Sequence, residues 1–205
     1  EARVEKVMKL NQVPSFGIRL LVSNASTLAP VADAMVKITD KSSGKVLVNE
    51  KTSALGDVLK KMNESKIGDA LELNIEISAQ GYLAKQATYT GKFDAVGIVQ
   101  LHEKMDLQLK PLEIGGDLAK MLGIKPIYFD LGKFNIRKDA GIELDKIVKV
   151  MNENPTMVIE LGSHTDCRGT IAANEKLSSN RATSSAQYIK TRITNPERIS
   201  GKGYG

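Results

Sequence analysis

The chain has 205 residues, of which 41% are hydrophobic and 26% are charged, and its formal net charge is +5 at pH 7. This composition is typical of globular proteins and excludes a disordered chain, a collagen and a coiled-coil rod. No apolar run approaches the roughly 18 residues that a membrane-spanning helix needs. The single cysteine, Cys167, excludes an internal disulfide and a multi-cysteine metal site.

The positive charge is not arranged as nucleic-acid recognition requires. Lysines are scattered along the chain, tryptophan is absent and aromatic residues make up 4%, so platforms on which bases could stack are scarce. We therefore predict no nucleic-acid partner. No spacing of ligating residues indicates a metal, and we predict no cofactor.

The first half of the chain is predicted to be all-β. Residues 71–78 alternate, with Leu71, Leu73, Ile75 and Ile77 on one face and polar residues on the other, as in a half-buried antiparallel strand. Further strands are predicted at 16–22, 34–39, 46–48, 83–90 and 105–109. Short strands that recur about every ten residues favour a β-sandwich.

The second half is predicted to be α/β, with a β-α-β-α pattern and helices packed on a mixed sheet. The predicted strands are 127–129 and 157–161. The first helix is predicted over 139–152, where apolar residues recur at helical spacing and Asp139 is the expected N-cap. The second helix is predicted over 172–191, with Leu177, Ala182, Ala186 and Ile189 available for burial.

Pro111 and two glycines cluster where the strands give way to helices. We therefore expect an N-terminal lead-in at 1–14, a β-sandwich domain at 15–111, a linker at 112–116 and a second domain at 117–205. A sandwich with its own core is expected to fold separately from the second domain.

Residues 161–189 carry the most informative motifs. Ser163-His164-Thr165-Asp166 ends a strand, and the later helix contains Leu177-Ser178-Ser179-Asn180-Arg181-Ala182. With Tyr128-Phe129-Asp130 upstream, this order of motifs resembles the OmpA-like peptidoglycan-binding domain over residues 114–205. That domain is also found in Pal lipoproteins and flagellar stator proteins. The first half resembles, by its strand spacing and Gln80-Gly81-Tyr82 corner, a transthyretin-like or carboxypeptidase regulatory-like β-sandwich.

The resemblance implies non-covalent binding of peptidoglycan through the diaminopimelate of its stem peptide. The free end of diaminopimelate carries an ammonium and a carboxylate on one carbon. Asp166 can accept charge-assisted hydrogen bonds from the ammonium, and Arg181 can donate two parallel bonds to the carboxylate. The resemblance also assigns ligand contacts or orienting roles to Thr165, Asn174, Asp130, Gly132 and Leu177.

These residues also have structural interpretations. Asp166 and Arg181 could form an ion pair with each other, which would be a common and weak surface interaction. Thr165 and Asn174 could serve in caps or turns. Tyr128 and Phe129 are expected to fill the core rather than stack on a sugar, because they end an apolar strand.

His164, Asp166 and Cys167 raise the alternative of a peptidoglycan-processing hydrolase. Adjacent residues on a strand point to opposite faces, and no third orienting group is visible in the sequence. We therefore predict that the chain is not an enzyme. A protein-interaction module with a vestigial cleft is the other alternative.

The resemblance places the protein in the periplasm, associated with the outer membrane of a diderm bacterium. Its expected partners are peptidoglycan and an outer-membrane or periplasmic complex, for which type IX secretion machinery is a candidate. The family domain usually continues past the Gly-Tyr-Gly that stands at 203–205. We therefore expect the domain to be truncated here, and the parent to be a longer lipoprotein.

Overall fold

A computed structural model describes residues 15–205, and the predicted lead-in at 1–14 lies outside the described residues. The described chain forms two compact units. Residues 15–77 and 85–109 make the first, and residues 78–84 and 110–205 make the second. The division predicted at 112–116 stays a prediction.

The first unit is built from β-strands. They are β1 (Phe16–Leu21), β2 (Ser23–Asn24), β3 (Met35–Asp40), β4 (Val46–Lys51), β5 (Asp57–Lys61), β6 (Ala70–Ser78), β7 (Lys85–Lys92), β8 (Gly97–Gln100) and β9 (Gln108–Leu109). One sheet has the order β5-β1-β8, in which β1 runs antiparallel to β5 and parallel to β8. A second sheet has the order β4-β3-β6-β7, and β2 pairs with β9 in parallel.

Alternating apolar residues give each sheet one buried face. In β6, the side chains of Leu71, Leu73, Ile75 and Ile77 are all at most 2% exposed. In β1, Ile18 and Leu20 are buried, while Arg19 between them faces the other way. The all-β character predicted for this half is therefore confirmed.

The second unit contains three helices and a parallel pair of strands. These are α1 (Leu118–Met121), α2 (Lys138–Glu153), β10 (Ile159–Ser163), α3 (Ile171–Lys190) and β11 (Ile199–Gly203). The buried faces of α2 and α3 meet one strand in a single apolar cluster. Its fully buried members are Leu144, Ile147, Met151, Ala186, Ile189, Ile193 and Ile199.

Two details of the α/β prediction are wrong. Residues 127–129 are not in a strand: Ile127 packs on the apolar cluster, but the segment forms no ladder with the described strands. The element order is therefore α-α-β-α-β rather than β-α-β-α. The N-cap of α2 is Arg137 rather than Asp139, which lies in the first turn of the helix.

Two glycines allow β11 to run directly against α3. A Cβ added to Gly201 would collide with the backbone of Ala182, and one added to Gly203 would collide with Ser179. Neither position has an unusual φ. Close approach of two backbones is therefore the reason for glycine at both positions, and it fixes where the middle of α3 lies.

The buried Arg198 closes the end of α2. Its Nη1 donates to the carbonyls of Met151, Asn154 and Met157, each at 3.1 Å. Its Nε and Nη2 donate to the carbonyl of Thr194 at 3.2 and 2.7 Å. The guanidinium thus satisfies carbonyls at the C-terminus of α2 that have no partner within the helix.

Candidate functional site

The loop between β10 and α3 is fixed at both ends by hydrogen bonds. At its start, the backbone N–H of Thr165 donates to the carbonyl of Gly205 at 2.9 Å. At its end, Thr170 is the N-cap of α3, and its hydroxyl accepts from the backbone N–H of Ala173 at 3.2 Å. Asn174 donates from Nδ2 to the carbonyl of Asp166 at 3.1 Å. The loop therefore presents Asp166 on a defined backbone.

The carboxylate of Asp166 is paired with Arg168, not with Arg181. Arg168 donates to Oδ2 from Nη2 at 2.6 Å and from Nε at 2.9 Å, and its backbone N–H donates to Oδ1 at 3.1 Å. These hydrogen bonds lower the pKa of Asp166, and the positive charge of Arg181 lowers it further by a smaller amount. Both cations therefore favour the ionised carboxylate.

Arg181 is held by backbone carbonyls and an aromatic ring. Its Nε donates to the carbonyl of Lys133 at 3.1 Å, and its Nη2 donates to the carbonyl of Asp130 at 3.4 Å. Its guanidinium carbon lies 5.0 Å from the centre of the Phe129 ring, within cation–π range. Among the described residues, no carboxylate forms an ion pair with this guanidinium.

The turn that holds Arg181 is short and specific. The backbone N–H of Lys133 donates to the carbonyl of Asp130 at 3.0 Å, and Gly132 has a φ of +68°, which favours glycine. The Asp130 carboxylate faces Lys133 Nζ at 3.6 Å and Arg137 Nη1 at 3.7 Å. The backbone carbonyl of Asp130 thus accepts a hydrogen bond from Arg181, while its side-chain carboxylate lies next to two cationic side chains.

The remaining predicted site residues differ in their surroundings. Thr165 has a buried hydroxyl that forms no hydrogen bond in the described part of the chain. Leu177 is half-buried on α3. The structure therefore brings Arg181 to the 130–133 turn and Asn174 to Asp166, while Asp166 and Arg181 remain separate.

Tyr128 does not fill the core as predicted, since its side chain is 66% exposed. Phe129 is half-buried beneath the Arg181 guanidinium. The cause is that 127–129 is not in a sheet, so neither aromatic ring has an inward-facing strand position to occupy.

His164, Asp166 and Cys167 do not form a catalytic arrangement. The ring of His164 stacks on Tyr204 with 5.2 Å between centroids, Cys167 is exposed, and no hydrogen bond joins the three side chains within the described residues. A nucleophile and its base need such a bond. Within residues 15–205, no group of three or more His, Cys, Asp or Glu side chains could hold a metal ion. No helix there is long and apolar enough to cross a membrane.

Sequence reasoning missed Arg168 and Thr170. The signal for Arg168 was a cation two residues after an acid in a glycine-containing turn, Asp166-Cys167-Arg168-Gly169. The signal for Thr170 was a threonine directly before the helix. Arg168 and Arg181 both follow Asp166 in the sequence, which does not show which of them makes the pair.

Comparisons with known proteins match the second unit to a family model. Residues 128–205 match the OmpA family. Over 79 residues, the chain is 34% identical to outer membrane protein P5 of Haemophilus influenzae and 30% identical to outer membrane porin F of Pseudomonas fluorescens. It is also 34% identical over 79 residues to photosystem I P700 chlorophyll a apoprotein A2 of Gloeobacter violaceus.

Each alignment covers 38% of this chain and 22%, 24% and 9% of those three proteins, respectively. The chain thus spans less than a quarter of the length of these relatives. The comparisons confirm the resemblance predicted for the C-terminal domain.

Solved structures add no assignment for the first unit. The Bacillus anthracis TIE protein aligns with a TM-score of 0.37 and 16% identity, covering 47% of this chain and 17% of that one. Klebsiella pneumoniae 5-hydroxyisourate hydrolase aligns with a TM-score of 0.29 and 14% identity, covering 37% of this chain and 79% of that one. The all-β description of the first unit therefore rests on its own strands.

Proposed function

We propose that this chain, whose C-terminal domain is OmpA-like, binds peptidoglycan non-covalently through the diaminopimelate of the stem peptide. Arg181 grips the carboxylate of the diaminopimelate head group, and Asp166 accepts its ammonium. The chemistry is recognition of a zwitterion and includes no bond cleavage.

The observation that carries this proposal is the way Arg181 is held. Two backbone carbonyls and the Phe129 ring fix the guanidinium, and no described carboxylate neutralises its charge. Its Nη1 donates no hydrogen bond to the described residues, so this edge is available to an anionic group. A pre-positioned guanidinium loses little conformational freedom when it binds a carboxylate.

The ammonium half of the site requires an exchange of partners. The carboxylate of Asp166 is held by Arg168 in the free domain, at 2.6 Å from Nη2. A ligand ammonium takes the place of that guanidinium, since both are cations that donate to the same oxygens. Asn174 keeps the backbone of Asp166 in place during the exchange through its bond to the carbonyl.

Four further residues complete the proposed site. Thr165, whose backbone N–H donates to the carbonyl of Gly205, orients the loop beside Asp166. Leu177 offers an apolar side chain on α3 to the methylenes of diaminopimelate. The turn that contains Asp130 and Gly132 lies beside the guanidinium and meets the stem peptide.

The biological role that follows is a cell-wall anchor. Two of the matched relatives are named as outer membrane proteins. We place this chain in the periplasm at the outer membrane, where it ties an outer-membrane or periplasmic complex to the wall. Type IX secretion machinery is one such complex.

The proposal is tested by co-sedimentation of the purified chain with insoluble peptidoglycan. Asp166→Ala and Arg181→Ala should each weaken binding by about thirtyfold, because each removes one partner of a charge-assisted contact. Both variants should remain folded, since both side chains are solvent-accessible. Lys176→Ala, which removes a charge from an exposed position of α3, is the matched control and should bind like the parent.

Two outcomes would contradict the proposal. Folded variants that sediment with the wall as the parent does would remove Asp166 and Arg181 from the site. A parent chain that does not sediment at all would favour a protein-interaction module with a vestigial cleft.

A further inference from the structure

The open edge of β7 lacks the features that usually protect the edge of a sheet. β7 is the last strand in the order β4-β3-β6-β7. It contains no proline, pairs with β6 in continuous register, and has charged residues only at its two ends, Lys85 and Lys92. By contrast, β4 ends in charged residues and pairs irregularly with β3, β5 ends in Lys60-Lys61, and β8 has four residues. Charges, irregular pairing and short length protect edges, so β7 is the edge that is open to another strand.

Alternate residues of β7 direct unpaired backbone groups away from the sheet. The carbonyl of Glu72 accepts from the N–H of Lys41, just after β3, at 2.7 Å. The backbone of Glu72 therefore faces β3 and does not bond its register partner on β7, Thr90. By the same alternation, the backbones of Thr88, Thr90 and Lys92 point to the open side. Their N–H and C=O groups bond to no described residue.

The sequence of β7 reads nearly the same in both directions from Tyr89. Moving outward, the two sides hold threonine, then a small residue, then a polar one: Thr88 and Thr90, Ala87 and Gly91, Gln86 and Lys92. An antiparallel pair of β7 strands centred on Tyr89 thus sets threonine opposite threonine and small residue opposite small residue. No like charges stand opposite each other in this register. The residues that would exchange hydrogen bonds are the ones whose backbone groups are free.

We propose that two copies of this chain pair antiparallel through β7, with the two-fold axis at Tyr89. Thr88 of each copy exchanges backbone hydrogen bonds with Thr90 of the other, and the two exposed threonine pairs add cross-strand contacts. On the opposite face, the axis brings together two Tyr89 rings that are each half-buried in the single chain. The interface is isologous, as a strand that is complementary to itself requires. This inference is independent of the peptidoglycan site, which is in the other unit.

The test is sedimentation equilibrium of the full chain. One pair of short strands buries little surface, so we expect a reversible monomer–dimer equilibrium between about 10 µM and 1 mM. A chain that stays monomeric over this range overturns the proposal. The edge of β7 would then be open only to an extended segment of a different protein.

Two double variants test the register. Thr88→Lys with Thr90→Lys sets lysine opposite lysine twice in each dimer and should weaken dimerisation by at least about tenfold. Thr88→Glu with Thr90→Lys sets glutamate opposite lysine twice and should dimerise at least as tightly as the parent. In both variants, the new lysine at position 90 lies beside Glu72 of β6, so both should fold. Thermal unfolding followed by circular dichroism checks this.

The control separates the strand pair from the overall charge. Glu50→Gln with Glu64→Gln raises the net charge as much as the two lysines do, at exposed positions outside β7, and should dimerise like the parent. The proposal is overturned if the folded double-lysine variant dimerises like the parent. It is also overturned if the two β7 variants lose dimerisation equally, or if the control loses it.

Discussion

In the free OmpA-like domain, the carboxylate of Asp166 already holds a cation. Arg168 donates two side-chain hydrogen bonds to Oδ2, and its backbone donates to Oδ1. Under the proposed function, the ligand ammonium competes with this guanidinium for the same oxygens. Arg168 therefore lowers the affinity for the ligand while it keeps Asp166 oriented and ionised.

Replacing Arg168 by Ala should therefore change two measurable properties. The pKa of Asp166 should rise towards its usual range, because the hydrogen bonds that lower it are lost. In the parent, the favourable effect of these bonds is present above the unfolded-state pKa and is lost as the pH falls through the lowered folded-state pKa. Carboxyl NMR signals followed against pH measure this shift.

The second property is wall binding at pH 7, which should become several-fold tighter in Arg168→Ala because the ammonium no longer displaces a guanidinium. Lys176→Ala again controls for the loss of one positive charge. Weaker binding in Arg168→Ala would instead show that Arg168 itself contacts the wall.

The hydrogen-bond partners of Asp166 and Arg181 could not be predicted from the spacing of residues in the sequence. The order of the motifs that contain Asp130, Asp166 and Arg181 indicated the resemblance to the OmpA-like domain, which the comparisons confirm. The structure pairs Asp166 with Arg168 in the same turn and not with Arg181, which lies on α3. This pairing follows from the geometry of the turn and from the backbone carbonyls that hold Arg181. Neither the turn geometry nor the carbonyl contacts can be predicted from the pattern of residues.

At the scale of elements, the contact of β11 with α3 determines where Arg181 lies. Gly203 approaches Ser179 so closely that a Cβ would collide with its backbone N and its hydroxyl. Arg181 is two residues further along the same helix. A strand that contributes no predicted ligand contact therefore positions the guanidinium.

Gly203→Ala should destabilise the C-terminal domain by about 1–3 kcal/mol, the usual range for overpacking, because the new methyl group must move β11 away from α3. Urea unfolding measures this loss, and wall binding by the folded fraction should fall with it. Gly162→Ala on β10 is the control, since its Cβ would meet only the Tyr204 ring, at 3.3 Å. Equal stability of the two variants would show that β11 does not need this close approach.

Elements with a clear periodicity of apolar residues were predicted better than elements that depend on pairing with another part of the chain. The alternation in β6 and the helical stripe of α2 each specify one buried face, and the structure confirms both. Residues 127–129 are apolar enough for a strand, but a strand also needs a partner for its backbone. Such a partner can lie anywhere in the chain, so a local pattern cannot establish that it is present.

At the scale of the whole chain, the first unit has its own core. Phe16 and Phe93 meet edge to face at 5.1 Å, and β1, β3 and β6 of the same unit contribute further buried apolar residues. We expect a fragment of residues 15–111 to fold by itself, with a single cooperative thermal transition in far-UV circular dichroism. Without cooperative unfolding, the proposed domain division is wrong.

The same fragment should not sediment with peptidoglycan, because all the proposed wall contacts lie between residues 130 and 181. A fragment that sediments as well as the full chain would move the wall site into the first unit.

The type of wall should matter to the full chain. Peptidoglycan that contains diaminopimelate should bind, whereas peptidoglycan with lysine at the same position should bind far less. Lysine lacks the second carboxylate, so Arg181 has no anion to grip. Co-sedimentation with the two wall types measures this difference, and equal binding would contradict recognition of the head group.

The pairing of Asp166 with Arg168 affects how the proposed binding to peptidoglycan should change with ionic strength. Under the proposed function, binding the ammonium exchanges one ion pair of the Asp166 carboxylate for another, so dissolved ions screen both sides of that exchange to a similar extent. Only the contact of Arg181 with a carboxylate adds an ion pair. The affinity for peptidoglycan should therefore depend on ionic strength as expected when binding forms one ion pair rather than two.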